Sequence, residues 1–406
     1  MDDSGNTRRN TTTEVLVIGG GYAGVMAANR LTGRPDVHVT LVNPRPLFVP
    51  RLRLHQLVAG THEATVPYAE VLAAGVRIVV DDVTRIDPAG RRVTLWGGGS
   101  LGYDYLVYAV GSHGAEPRVP GAAEFAHRMA TLETARELRA ALDRAPAEAP
   151  VTVVGGGPTG IETAAELAER GRPVTLVCGG VLGAYLHPKA RRSAARRLAA
   201  LGATVLDGPG TEVTAVRQGA VTLADGREVA GAVTVWTAGF DVPDLASLSG
   251  LRTDAAGRLL TDETLTSLDD ERIVAAGDSA APSGLPFRMS AYVAGCLGAH
   301  AADTVLHRIA GEPAAPVDLS FNAMCVSLGR RAAVFQLANR DDTAKRLYVG
   351  GRAGARLKEI SCEFSVKHLV TEARRPGSHH WPKGPYRHEL LRGRNDMADS
   401  AAERAL

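Results

Sequence analysis

Gly19, Gly21 and Gly24 stand in VLVIGGGYAG, and Gly155, Gly157 and Gly160 recur at the same spacing in VTVVGGGPTG. Between a strand and a helix, glycines at this spacing let the backbone wrap a pyrophosphate. The first permits the tight turn, and the second keeps a side chain out of the path of the phosphates. The third lets helix and strand pack closely while the helix-start amides face the anion. Both copies have that setting: apolar β-branched runs precede them, Val15 to Ile18 and Val151 to Val154, and alanine-rich stretches follow. Tyr22 and Ala23 complete the first turn, Pro158 and Thr159 the second. Two copies predict two nucleotide sites in one chain, between which electrons can pass, and a side chain at Gly21 or Gly157 is expected to block a site.

Other chemistry-bearing residues fall around these loops. Glu162 follows Gly160 by two residues, in the first turn of the second helix, where a carboxylate can face whatever the two nucleotides hold between them. The same position suits an acid favoured by the helix macrodipole, and both uses stand. Glu166 reads as a second residue of that face or as a surface charge. Asn43 ends the second strand of the first unit, where an acid usually accepts hydrogen bonds from the adenosine ribose; asparagine can still make one such contact. The corresponding strand of the second unit ends in Cys178-Gly179-Gly180, without an acid.

Positioning these residues takes alternating sheet and helix. The first unit continues through a helix at 25–31 and a strand at 37–42. Strand candidates follow at 76–80, 91–95 and 105–110, the last closing in AVGSHG at Gly111. Pro44 to Gly60 reads as a loop entering a helix, with no function evident from its pattern. A helix at 131–144 and the PAEAP linker at 146–150 lead into the second unit. That unit has its helix at 161–170 and strands at 174–177, 203–206, 220–223 and 233–237, with a hairpin turn at Asp225-Gly226 and a close at Ala238-Gly239-Phe240. A later strand, IVAAGD, ends at Asp278, and a small-residue helix covers 291–310. The expectation is an α/β protein with two Rossmann-like domains and a small C-terminal region. A chain of 406 residues exceeds what one core normally serves.

A formal charge of +2 leaves no global field for nucleic acid. Four cysteines without short pairing suggest neither a metal site nor a disulfide framework, which predicts a reducing, cytoplasmic setting. No run approaches the roughly 18 apolar residues of a membrane span. A basic tail at 374–394, with Trp381 and Tyr386 among its arginines, could hold an anionic lipid surface at the inner face of a membrane, remain solvated, or wrap a partner subunit.

Taken in order, the two fingerprints, the AVGS and TAGF strand ends and the late IVAAGDSA resemble the FAD-dependent pyridine nucleotide oxidoreductases with two dinucleotide-binding domains, over roughly residues 14 to 310. Within that superfamily the GPTGIETAAEL helix, the HQLVAGT segment and the lack of redox cysteines look most like type II NADH dehydrogenases, which pass electrons from NADH to quinone. The resemblance implies FAD on Gly19, Gly21 and Gly24, with Asp278 near its ribityl chain or pyrophosphate, and NADH or NADPH on Gly155, Gly157 and Gly160. It implies an FAD domain at 14–125 and 255–316, interrupted by a nucleotide domain at 126–254, after a disordered 1–13 and before a C-terminal region at 317–406. Glu162 would handle protons or position substrate. The family's glutamine pair on the late helix is replaced here by Tyr292 and Cys296, which weakens the argument for a quinone. Tyr292 could stack on a flat acceptor or pack in the core. The alternatives are a dedicated metabolite or an iron-sulfur protein as acceptor, or a redox-responsive interaction protein; a homodimer is compatible with each. Sulfide oxidation would need cooperating cysteines that the pattern does not supply.

Overall fold

The computed structural model describes residues 12–403. The expected disorder of 1–13 falls on residues that, up to 11, lie outside those described; Thr13 already belongs to the opening strand, Thr13–Ile18. The expected α/β class holds. One parallel sheet runs in the order Ile273–Ala275, Tyr105–Tyr108, Thr13–Ile18, Val37–Asn43, Val76–Val80. A second repeats the plan as Ala126–Arg128, Val233–Trp236, Val151–Val154, Val174–Val177, Thr204–Leu206. In each, the central strand carries a fingerprint at its carboxyl end. These central strands are buried on both faces, which is why they read as continuous β-branched runs and not as alternating ones.

Helix α1 (Tyr22–Leu31) follows the first loop, and a short α2 (Leu54–Val58) comes after the second strand. The apolar residues of α2, Leu54, Leu57 and Val58, pack into the core of the second unit and so tie the two units together. That core also takes α3 (Leu132–Arg144), α4 (Pro158–Glu169), which starts at the second loop, and α5 (Pro188–Ala200). The long α6 (Ala291–Ala310) returns to lie along α1. It starts at Ser290, whose hydroxyl accepts from the Val293 amide, and ends at Gly311 in the left-handed region with φ 74°. Small residues set the α1–α6 spacing: a Cβ on Gly298 would overlap the Ala23 carbonyl, and one on Gly277 would come 3.0 Å from the Ala23 Cβ.

The C-terminal region is a three-stranded antiparallel sheet, Ala323–Ser327, Ala333–Ala338 and Ala344–Val349, followed by α7 (Gly351–Arg374) and α8 (Tyr386–Glu403). Helix α7 bridges that sheet and the first unit: Tyr22 and Ser365 hydroxyls meet at 3.2 Å, and Asn29 Nδ2 donates to the Leu369 carbonyl at 3.0 Å. The tail is anchored at several points, while Arg374, Arg375, Lys383, Arg392 and Arg394 stay exposed. Glu372, fully buried, accepts from the amides of Gly377 and His379 and pairs with Arg30 at 3.2 Å. Trp381 Nε1 donates to the Asp318 carbonyl, and Arg387 is buried against Glu263 at 2.8 Å. Among the described residues, Arg387 is the one basic residue of the tail that meets an acid from elsewhere in the chain. No helix among the described residues is long and apolar enough to cross a membrane.

The α1–α6 contact yields a matched pair of substitutions. Gly298→Ala forces two backbones apart and is expected to destabilise by roughly 1–3 kcal/mol. Gly295→Ala, three residues away on the same helix, meets open space and should be neutral or slightly stabilising. Thermal midpoints of the two variants check this, and equal midpoints would refute the packing argument.

Candidate functional site

Both glycine loops are built alike. Gly19 and Gly155 have φ of 100° and 125°, a region that favours glycine. A Cβ on Gly24 would overlap the Gly19 carbonyl oxygen, and one on Gly160 the Gly155 carbonyl oxygen, so the third glycine of each copy is a packing requirement. A Cβ on Gly21 or Gly157 would meet nothing of the protein within 4 Å, so each faces open space. Both are N-caps without a side-chain cap, and neither helix has an acid in its first turn: Glu162, expected there, is the fifth residue of a helix that starts already at Pro158. Uncapped amides at the positive end of a helix dipole, facing open space, fit a pyrophosphate. What Tyr22, Ala23, Pro158 and Thr159 offer there is backbone. The Tyr22 side chain turns inward against Phe48, ring centroids 5.0 Å apart, and Ala23 abuts α6.

Asn43 clamps the first loop: its Oδ1 accepts from the Gly20 amide at 2.9 Å while its Nδ2 donates to the Arg45 carbonyl at 2.9 Å. Tyr68 donates to the Gly20 carbonyl from the other side. The amide of Asn43 keeps one hydrogen for a ribose contact. Asp278 accepts from the Ser112 hydroxyl at 2.7 Å, and Arg51 donates to both the carbonyl and the hydroxyl of Ser112. Burial raises the Asp278 carboxyl above its usual range, against the pull of Ser112 and Arg51. Gly111, at φ 69°, donates to Ser279 at 3.4 Å, so the AVGS end, Arg51 and Asp278 form one polar cluster beside the first loop. The sequence pattern gave no sign of Arg51. Gly239 has φ 85° and lies where a Cβ would come 2.9 Å from that of Ala115. His113–Gly114 pairs antiparallel with Phe240–Asp241, so the AVGSHG and TAGF exits of the two sheets meet.

A second cluster surrounds Glu162, which is buried and is not a solvated helix-start acid. Its Oε1 lies 2.8 Å from Lys358 Nζ of α7 and accepts from the Ser327 amide at 2.9 Å; its Oε2 lies 3.5 Å from His55 Nδ1 of α2. Burial alone would raise the Glu162 pKa, but Lys358 and His55 more than offset it and hold the carboxylate ionised. Burial would likewise discharge Lys358, yet Glu162 keeps it an ammonium well above its ordinary range. Burial pushes His55 down to about 4, so its imidazole is neutral. Around this core Arg53 and Arg330 pair with Glu359 at 2.6 and 2.8 Å, and Glu166, raised by burial to about 7, lies 3.6 Å from Arg330. Among the described residues, His55 Nε2 and the Tyr185 hydroxyl are buried without a hydrogen-bond partner. Lys358 and His55 sit in long-range contacts that no local pattern signals. Tyr292 belongs to neither cluster: its hydroxyl donates to the Ser320 carbonyl at 2.8 Å, its ring meets Phe321 edge-on, and part of it stays exposed.

A family model described as pyridine nucleotide-disulphide oxidoreductase matches residues 13–296. The chain is 33% identical over 355 residues to an NADH dehydrogenase-like protein of Mycobacterium tuberculosis, covering 80% of this chain and 87% of that one. It is 30% identical over 319 residues to a type II NADH:quinone oxidoreductase of the same organism, covering 67% and 68%. The sulfide:quinone oxidoreductase structure from Aquifex aeolicus shares the fold, with a TM-score of 0.72 over 89% of this chain and 92% of that one at 21% identity.

The His55 environment predicts a pH effect. Its folded value near 4 lies below the ordinary 6.5, so as pH falls the unfolded chain takes up the proton first. The stability concerned is present in full above about pH 6.5 and is lost as pH falls to about 4, a change of roughly 3 kcal/mol. Glu166, raised by burial, acts in the opposite sense, so the comparison must be with a variant. Urea midpoints at pH 7 and 5 should differ less for His55→Gln than for the wild type. Equal differences would mean that the imidazole titrates normally in the fold.

Proposed function

The chain belongs to the pyridine nucleotide-disulphide oxidoreductase family, and from that premise we propose that it passes two electrons from NADH through FAD to a quinone. As a member of the family it is an enzyme, an oxidoreductase that uses FAD and a pyridine nucleotide. The observation that carries the reading is the pair of open glycine cradles on two parallel sheets whose exits are joined through His113–Gly114 and Phe240–Asp241. The quinone is favoured by the buried proton-bearing cluster and by the relatives' named activity. The proposed division is an FAD domain at 14–125 and 255–316 and a nucleotide domain at 126–254.

The bound cofactors supply hydride acceptance and two-electron transfer. This chain's residues orient and insulate. The amides at the starts of α1 and α4 would hold the two pyrophosphates, and the Arg51, Ser112 and Asp278 cluster would position the first cofactor beside its loop. NADH and quinone give NAD+ and quinol with uptake of one proton beside the hydride, and Lys358 Nζ, kept charged by Glu162, holds one in a buried place. Neutral His55, against the other oxygen of Glu162, is positioned to pass a replacement. Outside, Ile360 and Phe364 of α7 are exposed, and Lys367 lies over the Phe364 ring at 5.3 Å. That face suits peripheral contact with an anionic membrane, where quinone dissolves. Tyr292 is proposed to border the acceptor through its exposed edge.

Anaerobic stopped-flow mixing with NADH and then with menadione separates the two halves. Glu162→Gln should slow reoxidation by menadione by roughly 100-fold while flavin bleaching by NADH stays within about threefold. Lys358→Arg, which keeps the cation, should retain more reoxidation than Lys358→Gln. Equal losses in both halves would remove the cluster from proton delivery, and no bleaching by NADH would sink the whole reading.

A further inference from the structure

Choice between the two nicotinamide nucleotides is made where the adenosine ribose meets the end of the second strand of a nucleotide unit: a carboxylate there accepts from the 2′-hydroxyl and repels a 2′-phosphate. Strand Val174–Val177 ends in Cys178-Gly179-Gly180 and supplies no carboxylate. Its neighbour Thr204–Leu206 runs parallel, with Val177 opposite Leu206, so Cys178 and Asp207 emerge side by side at the same edge. Hydrogen bonds on both sides of Asp207 fix it there: the Cys178 amide donates to the Leu206 carbonyl at 2.8 Å, and the Gly208 amide to the Gly180 carbonyl at 2.6 Å. Thr211 Oγ1 closes the turn, accepting from the Gly180 amide and donating to the Gly208 carbonyl.

This lip borders the second glycine loop, since a Cβ on Gly156 would come 2.9 Å from that of Cys178. Beyond it lies open space: a Cβ on Gly179, Gly180 or Gly208 would meet nothing within 4 Å. Asp207 is exposed, and among the described residues no ion pair or hydrogen bond engages its carboxylate. Cys178, raised to about 12 mainly by burial, also feels the Asp207 charge, so the carboxylate's field reaches the lip. Lys189, Arg192 and Arg196 of α5 line a groove with Tyr348 of the C-terminal sheet.

We propose that Asp207, from the strand next to the usual one, supplies the carboxylate that selects NADH over NADPH. The proposal rests on the reading of Gly155, Gly157 and Gly160 as the nicotinamide nucleotide loop. It is tested by calorimetric titration of the FAD-loaded full chain with ADP-ribose and with 2′-phospho-ADP-ribose, which bind without turnover. Wild type should bind ADP-ribose about tenfold more tightly or better. Asp207→Asn should bring the two affinities within about threefold, mainly by strengthening the phosphorylated ligand, and Asp207→Arg should reverse the order. Unchanged thermal midpoints would confirm that both variants fold. If both ligands bind wild type and the ratio is the same in Asp207→Asn, the Asp207 assignment fails while the nucleotide loop stands. If neither ligand binds the wild type, the loop reading fails and takes the assignment with it.

Discussion

The Glu162–Lys358 ion pair is the interaction on which the arrangement of the parts depends. One buried carboxylate is held by the α7 ammonium, by the Ser327 amide of the C-terminal sheet and by the His55 imidazole of α2, so three separate stretches of chain converge on α4. Taking two charges out of water costs several kcal/mol per ion, and only close geometry with further hydrogen bonds offsets that. Here both are present. Removing either partner would leave an uncompensated charge in the core, so α7 cannot leave α4 cheaply. Because α7 also bonds α1 through Ser365 and Leu369, the same pair fixes the C-terminal region against the first glycine loop.

Close backbone approach is the second constraint. Helices α1 and α6 meet through Ala23 and Gly298, Gly277 packs on Ala23 beside them, and each glycine loop folds back on its own carbonyl at Gly24 or Gly160. Aromatic side chains have no room in such contacts. The rigidity gained is local to the loops. It lets uncapped helix starts face open space without collapsing, because the strands beneath them are buried on both faces.

Much of this was legible in the sequence because it is local. The glycine loops, the strands that precede them and the small-residue helix at 291–310 are encoded within windows of about 20 residues, where period and turn chemistry suffice. The site was legible only in its local half. Glu162 stands out by its distance from Gly160, but Lys358, His55 and Arg51 reach their places through folds of the chain that no spacing records. Asn43 shows the limit differently: its position was read for a ribose contact, and most of its hydrogen-bonding capacity goes to holding Gly20 and Arg45. Arg387 was read as part of a charged tail because Glu263, its partner, lies more than a hundred residues away.

A buried ion pair is weak evidence of function by itself, since apolar residues of the same volume often serve stability equally well. What separates this one from a structural brace is its surroundings. A brace has its polar neighbours satisfied, because an unpaired buried donor or acceptor costs about 1–3 kcal/mol. Here, among the described residues, His55 Nε2 and the Tyr185 hydroxyl are buried without a hydrogen-bond partner, near one pair of fixed charges. Two unmet polar groups beside fixed charges set this pair apart from a fully satisfied brace. On the proposed function they belong to a site that completes its hydrogen bonds only when a polar molecule enters, with the Lys358 proton already in place to meet it.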